Sequence, residues 1–258
     1  MKVVIFAGGL GTRISEETDV RPKPMVEIGG KPILWHIMKI YSRYGFNDFI
    51  ICLGYKGYVI KEYFINYFWH NTDITIDLQQ NKVDIHNVNS EPFKVTLVDT
   101  GINTKTAGRL KAVEKYIGNE DFMLTYGDGV CNTDISKLVA FHKSHGKIAT
   151  VTTVQLEARF GGMDVKDNGD VLFFREKAKD ESKWINAGFF VLKPQVFDYL
   201  EKDVTNVMWE DEPLEKLTED KQLMAYKHYG FWKCMDALRD KIELEELWLN
   251  NQAKWKIW

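Results

Sequence analysis

The chain has few cysteines and no large excess of charge of either sign. Its three cysteines, Cys52, Cys131 and Cys234, are odd in number and lack metal-ligand spacing, which argues against a disulfide framework and a zinc site. The net charge of −3 comes from interspersed acids and bases, so the strong field of a nucleic-acid-binding or membrane-surface protein is missing. We therefore expect a small-molecule partner, and neither nucleic acid nor a membrane.

Long hydrophobic runs, internal repeats and low-complexity linkers are also absent. No apolar run approaches the ~20 residues that a membrane span needs, and a strand pattern begins directly after Met1 without a leader-like segment. From this pattern we expect a cytoplasmic protein. The length of 258 residues and the apolar content of 45% are sufficient for a sizeable core.

Short apolar runs alternate with helical patterns, which predicts a parallel sheet buried on both faces. Strands are expected at residues 2–7, 49–54, 94–99, 121–129, 147–155 and 184–192, with two short ones near 224–227 and 230–233. Helices are expected near 33–44, 59–68, 108–116, 135–145, 194–201, 210–219 and 237–249. Polar alternation in DITIDLQ and VDIHNV predicts a small antiparallel excursion, and Asn168 with Gly169 predicts a hairpin.

The fold class that these patterns predict is α/β. We expect a single Rossmann-like domain with a mixed, mostly parallel central sheet flanked by helices, and a helical C-terminal segment. The tail WLNNQAKWKIW carries Trp248, Trp255 and Trp258. Tryptophans in such a tail are expected to dock either on the parent domain or on a neighbouring subunit.

The run AGGLGTR, residues 7–13, follows the first expected strand. A dinucleotide fingerprint would need glycine at position 14, where Ile14 stands, and a Walker A loop would need a Lys-Ser or Lys-Thr pair that is absent at that spacing. There remains a turn whose glycines let backbone N–H groups approach an anion, with Thr12 and Arg13 adding a hydroxyl and a guanidinium. A tight strand-to-helix turn with a solvent-facing arginine is the alternative.

A second cation stands in RPKPM, ten residues after Arg13. Pro22 and Pro24 restrict the backbone on both sides of Lys23, and such rigidity suits a lysine that must meet a phosphate. A surface lysine in a loop is the alternative interpretation. The two runs together indicate a phosphate site more strongly than either run does alone.

AGGLGTR followed by PKPM resembles the nucleotide-binding signature of the sugar-phosphate nucleotidyltransferases. Downstream, YGDG, FREKA and NAGFFVL resemble that family's metal-binding, sugar-phosphate-binding and sugar-binding motifs. The stretches GGKPILWHIMKIY, GYKGYVIKEYF, TAGRLK, EPLEKL and GFWKCMDALRDK resemble the branch of the family that acts on CTP and glucose 1-phosphate. Two departures from the family pattern are Ala178, in place of a proline after EK, and Ala107, in place of a second glycine before Gly108.

The resemblance implies direct attack of a sugar 1-phosphate on the α-phosphorus of CTP, with Mg²⁺ as cofactor and pyrophosphate as leaving group. It implies catalytic roles for Arg13, Lys23 and Asp128, and Mg²⁺ ligation by Asp128 and Asp236. The implied nucleotide-binding residues are Phe6, Ala7, Gly8, Gly9, Leu10, Gly11, Thr12, Arg13, Lys23, Thr104, Arg109 and Asp128. The implied sugar-phosphate-binding residues are Gly162, Glu176, Lys177 and Asn186.

Both proposed metal ligands have ordinary structural alternatives. Asp128 in GDG could be a turn aspartate, and Asp236 before ALRDKIELEEL could be a helix N-cap. The resemblance further implies a mainly nucleotide-binding half (1–130), a mainly sugar-phosphate-binding half (131–236), and a C-terminal helix and tail (237–258) that could contact another subunit. It implies a homo-oligomer, with a hexamer among the candidates. Two functions compete with the implied one. The first is a nucleotidyltransferase that uses another nucleotide or sugar phosphate, and the second is a catalytically silent nucleotide-sugar sensor.

Overall fold

A central sheet organises the computed structural model, which describes residues 1–88, 90–155, 162–166, 170–175, 184–200 and 203–258. In chain order its strands are β1 (Val3–Ala7), β2 (Glu27–Ile28), β3 (Lys31–Pro32), β4 (Asp48–Leu53), β5 (Thr72–Asp77), β6 (Lys82–Val88), β7 (Lys94–Asp99), β8 (Phe122–Tyr126), β9 (Gly129–Cys131), β10 (Ala149–Val154), β11 (Gly162–Val165), β12 (Val171–Arg175), β13 (Ile185–Leu192), β14 (Leu223–Lys227) and β15 (Trp232–Cys234). The α-helices are α1 (Ser15–Thr18), α2 (Ile33–Ser42), α3 (Gly57–Ile65), α4 (Tyr67–His70), α5 (Thr106–Ala112), α6 (Glu114–Ile117), α7 (Ile135–His145), α8 (Glu212–Glu219) and α9 (Leu238–Leu249).

Seven strands form the central sheet in the order β14-β10-β13-β8-β1-β4-β7. Strand β13 runs antiparallel to its neighbours β8 and β10, and the other pairs of the sheet are parallel. This arrangement confirms the predicted mixed, mostly parallel sheet. The sheet takes strands from both expected halves of the chain, since β1, β4, β7 and β8 come from residues 1–130 and β10, β13 and β14 from residues 131–236.

The sheet is buried on both faces, which explains why its strands are continuous apolar runs. All five residues of β1 are buried, and they alternate between two core clusters. Val3 and Ile5 pack with α2 and the C-terminal segment, whereas Val4 and Phe6 pack with α5. Within the described ranges, no helix combines the length and apolar character needed to cross a membrane.

The predicted strand 121–129 is interrupted, and this correction matters for the site. Strand β8 ends at Tyr126, and the chain turns at Gly127 and Asp128 before β9 pairs with β15. Gly127 N donates to Phe6 O at 2.9 Å, and a Cβ at Gly127 would lie 2.7 Å from that oxygen. The close approach to β1 therefore ends the strand and presents Asp128 on a turn.

Three predicted helices also differ from the structure. Residues 194–201 were expected to be α-helical, but Pro194–Tyr199 is a 3-10 helix. The predicted helices 59–68 and 108–116 are each divided, at Asn66 and at Val113. The antiparallel excursion is confirmed as the β5–β6 pair. Strands β11 and β12 pair as the predicted hairpin, whose Asn168 and Gly169 lie outside the described residues.

The tryptophan-rich tail docks on its own chain. Trp255 is 1% exposed, and its ring lies 5.5 Å from the ring of Phe231 in a stacked arrangement. Trp248 and Trp258 pack around His36 on α2 at ring distances of 4.9 and 6.0 Å. Of the two expected docking partners, the parent domain is therefore the one observed. A role of the tail in subunit contact is not needed to explain its tryptophans.

Candidate active site

The candidate site lies at the carboxyl ends of β1 and β8. Strand β1 stands between β4 and β8, because the chain first adds strands on one side of β1 and later returns on the other. Ligands of open α/β sheets bind at such a reversal of strand order. The glycine turn follows β1 and the Asp128 turn follows β8, so the topology brings these distant segments to one crevice.

The glycine turn leads directly into a short 3-10 helix, Thr12–Ile14. Gly11 has φ +67°, a left-handed conformation that residues with a side chain rarely adopt. The hydroxyl of Thr18 donates to Gly11 O at 3.1 Å and ties the turn to α1. Arg13 projects from the turn with its side chain 76% exposed, and its Nη1 donates to Asp236 Oδ2 at 3.0 Å.

Lys23 joins the two candidate metal ligands. Its Nζ lies 2.7 Å from Asp128 Oδ2 and 2.7 Å from Asp236 Oδ1. Burial alone would lower the pKa of Lys23, but the two carboxylates outweigh it and raise the pKa above its ordinary value. Burial opposes the charge of Asp236 as well, yet Lys23 and Arg13 hold the pKa of that carboxyl below its usual range. Both shifts favour the charged forms of Lys23 and Asp236.

Asp236 is not the N-cap of the last helix. Helix α9 begins at Leu238, and Asp240 Oδ2 accepts hydrogen bonds from Asp236 N at 3.0 Å and Ala237 N at 2.9 Å. The N-cap position belongs to Ala237, and Asp236 stands one residue before it, with its side chain facing Lys23 and Arg13. The structural alternative that the sequence left open for Asp236 is therefore wrong.

The cluster stands where two cavities meet. The first has a volume of about 510 Å³, within the range of small-molecule sites. The second has a volume of about 260 Å³ and lies against β13. Tyr126 and Asp128 line both cavities, so this pair marks the boundary between them.

Two groups of residues line the first cavity. The first group is the glycine turn with Arg13, Lys23 and Asp128. The second group, the far end, consists of residues 102–106 together with Met208 and Glu210, and it includes the ionisable side chains of Lys105 and Glu210. The cations of the first group suit the phosphates of a ligand.

The carboxylates of Asp128 and Asp236 and the thiol of Cys234 lie within 4.8 Å of one another. Mg²⁺ prefers oxygen ligands and usually takes one or two protein carboxylates, with phosphate and water completing its shell. Burial, reinforced by Asp128, raises the pKa of Cys234 and keeps its thiol neutral. The two carboxylates therefore fit a hard divalent cation at the boundary of the cavities.

The structure gathers most of the expected site residues around these cavities. The first cavity is lined by Phe6, Ala7, Gly8, Gly9, Leu10, Gly11, Thr12, Arg13, Lys23, Thr104, Arg109 and Asp128. The second is lined by Asn186, Asp128 and Asp236, and Asn186 Oδ1 accepts from Gly188 N at 2.7 Å. Gly162 lies in β11 opposite Arg175. Glu176, Lys177 and Ala178 lie outside the described residues.

Among the cavity residues that the sequence did not identify, Tyr126, Thr106 and Glu210 form a hydrogen-bonded group. Tyr126 donates to one carboxylate oxygen of Glu210, and Thr106 Oγ1 donates to the other at 2.8 Å. Tyr126 had a usable signal, since it is a polar aromatic residue at the end of a buried strand, two positions before Asp128. Glu210 had none, because it belongs to the acidic run that precedes α8.

Comparison with known proteins decides the family. The sequence matches the family described as Nucleotidyl transferase over residues 2–244. The chain belongs to this family. The nucleotidyltransferase is 56% identical to glucose-1-phosphate cytidylyltransferase of Salmonella typhimurium and to that of Salmonella typhi, in alignments of 259 residues that cover the whole of each chain.

The fold of this nucleotidyltransferase is shared with solved structures. A UDP-glucose pyrophosphorylase solved with UDP-glucose superposes with a TM-score of 0.67 at 17% identity, covering 97% of this chain and 98% of that one. At that identity the likeness concerns the fold. It agrees with the observed mixed sheet flanked by helices.

Proposed function

We propose that this nucleotidyltransferase transfers the cytidylyl group of CTP to α-D-glucose 1-phosphate, giving CDP-glucose and pyrophosphate. The observation that carries the proposal is the Arg13–Lys23–Asp128–Asp236 cluster at the boundary of two cavities. The full-length identity of 56% to two glucose-1-phosphate cytidylyltransferases supports the choice of substrates. The first cavity would hold CTP and the second the sugar phosphate.

The reaction needs no protein nucleophile, because an oxygen of the sugar phosphate attacks the α-phosphorus directly. Two polyanions must meet, so the site has to neutralise charge and align the reactants. Lys23 is a compact cation held at the boundary between the cavities and suits the reacting phosphates. Arg13 stands at the exposed edge, where its planar fork suits the leaving pyrophosphate.

We further propose that the cofactor is Mg²⁺, held by Asp128 and Asp236. When bound, the ion supplies positive charge beside the reacting phosphate groups. Lys23 contacts both carboxylates and thereby holds Asp128 and Asp236 close to each other at the boundary of the cavities. The distance between the two carboxylates depends on three segments that are far apart in sequence: the 3-10 helix Lys23–Met25, the turn after β8 and the residues before α9.

The acceptor side rests on fewer described residues. Asn186 is an exposed side chain in the second cavity and is proposed to hydrogen-bond sugar hydroxyls. Gly162, Glu176 and Lys177 remain predictions for the same substrate. The second cavity directly adjoins Asp128 and Asp236, as a phosphate acceptor site requires.

The decisive experiment is a matrix of four nucleoside triphosphates against several sugar 1-phosphates, with pyrophosphate release measured in the presence of Mg²⁺. We expect the highest kcat/KM for CTP with glucose 1-phosphate. A Lys23→Ala variant, purified identically, controls for contaminating activity. If another combination of nucleoside triphosphate and sugar phosphate gives the highest kcat/KM, that combination is the substrate pair. If no combination releases pyrophosphate, the nucleotide-sugar sensor is favoured.

We also propose that the chain forms a homo-oligomer through the β5–β6 hairpin. The pairs Ile74–Ile85 and Ile76–Val83 place four aliphatic side chains on one face. Ile76, Val83 and Ile85 are 55%, 44% and 46% exposed, although an isolated two-stranded hairpin is barely stable in water. Light scattering of an Ile76→Lys variant tests this: we expect a smaller assembly than for the unmodified protein, and an unchanged mass would remove the hairpin from the interface.

A further inference from the structure

Arg109 is buried in the wall of the first cavity, with an exposure of 4%. Its two terminal nitrogens, with two hydrogens each, face five protein oxygens. Nη1 donates to Thr100 Oγ1 at 2.7 Å and to Leu53 O and Gly101 O at 2.9 Å, and Nη2 donates to Gly8 O at 2.9 Å and Ile102 O at 3.3 Å. Protein acceptors therefore occupy both terminal nitrogens.

Two of these acceptors, Gly8 O and Ile102 O, belong to residues that line the first cavity. Gly8 O is the first carbonyl of the glycine turn, and Gly101 and Ile102 lead to the segment at the far end of the cavity. Leu53 ends β4, the strand beside β1. The guanidinium of Arg109 thus connects three segments: the glycine turn after β1, the end of β4, and residues 100–102.

Two glycines provide the space for this guanidinium. A Cβ at Gly8 would lie 2.1 Å from Nη1 of Arg109. A Cβ at Gly54 would lie 2.6 Å from Nη1 and 2.5 Å from Gly8 O. Gly54 lines a different hollow and not the nucleotide cavity. It therefore offers a way to disturb the guanidinium from outside the cavity.

We propose that Arg109 is a positioning residue that fixes the glycine turn against residues 100–102, and that it acts through these protein contacts and not through recognition of the base. The inference rests on the proposed nucleotidyl transfer. Without the fork, Gly8 O would keep the hydrogen bond from Tyr55 N at 3.2 Å and Leu53 O would keep those from Thr100, but the link between these carbonyls and residues 101–102 would be lost. The turn would shift, and its backbone N–H groups would meet the phosphates less well.

Arg109→Lys keeps the positive charge but loses the planar fork, so it separates charge from positioning. We expect it to raise the KM for CTP about tenfold and to weaken the binding of inorganic pyrophosphate by a similar factor. The ratio of kcat/KM for CTP to that for UTP should stay within about twofold of the wild-type ratio, because no base contact is lost. Arg43→Lys, the same change at the exposed end of α2, is the matched control and should alter none of these values.

Gly54→Ala is the second variant. Its Cβ would meet both Arg109 Nη1 and Gly8 O, the two partners of the proposed contact, so it should reproduce the Arg109→Lys pattern although Gly54 itself does not line the cavity. The proposal is overturned if Arg109→Lys changes the CTP-to-UTP ratio more than about tenfold while pyrophosphate binding is unchanged, since a base contact would then be lost. It is also overturned if both variants lower kcat with unaltered KM and pyrophosphate affinity, because the residue would then act only on the amount of folded enzyme. Pyrophosphate titration by calorimetry needs no assumption about the base, so a failure of the CTP assignment remains distinguishable from a failure of this role.

Discussion

The pH dependence of folding should contain a contribution from His36 that one substitution removes. His36 has no exposed surface on α2, and its ring lies among the tail tryptophans. Nε2 donates to Ile28 O at 2.8 Å, and Nδ1 accepts from Trp255 Nε1 at 3.4 Å. The neutral ring satisfies both contacts. A proton on Nδ1 would instead oppose the tryptophan N–H.

The size of the effect follows from linkage. Burial lowers the pKa of His36 from 6.5 to about 4, with Lys256 adding to the decrease and backbone hydrogen bonds to Ile28 and Lys31 opposing it. Because the folded-state pKa is lower than the unfolded one, His36 destabilises the fold as pH falls from 6.5 toward 4. Between about pH 7 and about pH 5 the free energy of unfolding should decrease by about 2 kcal/mol from this group.

The assay is urea unfolding at several pH values between about 7 and about 5. His36→Gln has an uncharged side chain that can donate to Ile28 O and accept from Trp255, so its unfolding free energy should fall by about 2 kcal/mol less than that of the wild type. His142, whose pKa burial also lowers to about 4, contributes separately, and His142→Gln serves as the parallel variant. Equal pH slopes for His36→Gln and the wild type would refute the reasoning.

Other substitutions address catalysis, the tail and the cavity wall. Asp128→Asn should reduce turnover about 100-fold or more in steady-state assays but leave the melting temperature almost unchanged, because Lys23 retains Asp236 at 2.7 Å; normal turnover with lost thermal stability would contradict the metal role. Trp255→Ala should lower the free energy of unfolding by about 3–5 kcal/mol in urea titrations, and a loss below about 1 kcal/mol would mean that the tail packs only loosely. Tyr126→Phe removes the hydroxyl that donates to Glu210 in the first cavity. It should raise the KM for CTP about tenfold. An unaltered KM would mean that the Tyr126–Glu210 hydrogen bond does not contribute to CTP binding.

The general fold could be predicted because its signals are local. Continuous apolar runs such as β1 can be satisfied only in a sheet covered on both faces, and the alternation with helices implies parallel connections. The errors have physical causes. The strand expected to reach residue 129 stops at Tyr126, since its end is decided by contact with Phe6 on β1, and that contact is invisible in the pattern of either strand.

Part of the candidate site could be named from motifs, because AGGLGTR and PKPM are distinctive in residue type and spacing. What Asp236 does could not be decided in this way, because an aspartate before a helix is an ordinary cap. The decision depended on where α9 begins, because Ala237 takes the N-cap position and the side chain of Asp236 faces Lys23. Glu210 was missed for a related reason, since an acidic run before a helix is common and its partner Tyr126 is far away in sequence.

The sequence by itself determined the α/β class, the glycine turn after β1 and the two cations that follow it, because these depend on neighbouring residues and on short spacings. Only the tertiary structure decided that Lys23 lies between Asp128 and Asp236, that Arg109 holds two walls of a cavity together, and that the tryptophan tail packs on its own chain. Lys23 lies 105 and 213 positions from the two aspartates, Arg109 lies 101 positions from Gly8, and Trp255 lies 219 positions from His36. No local pattern encodes such a distance, because it is set by strand order and by the packing of side chains in the folded protein.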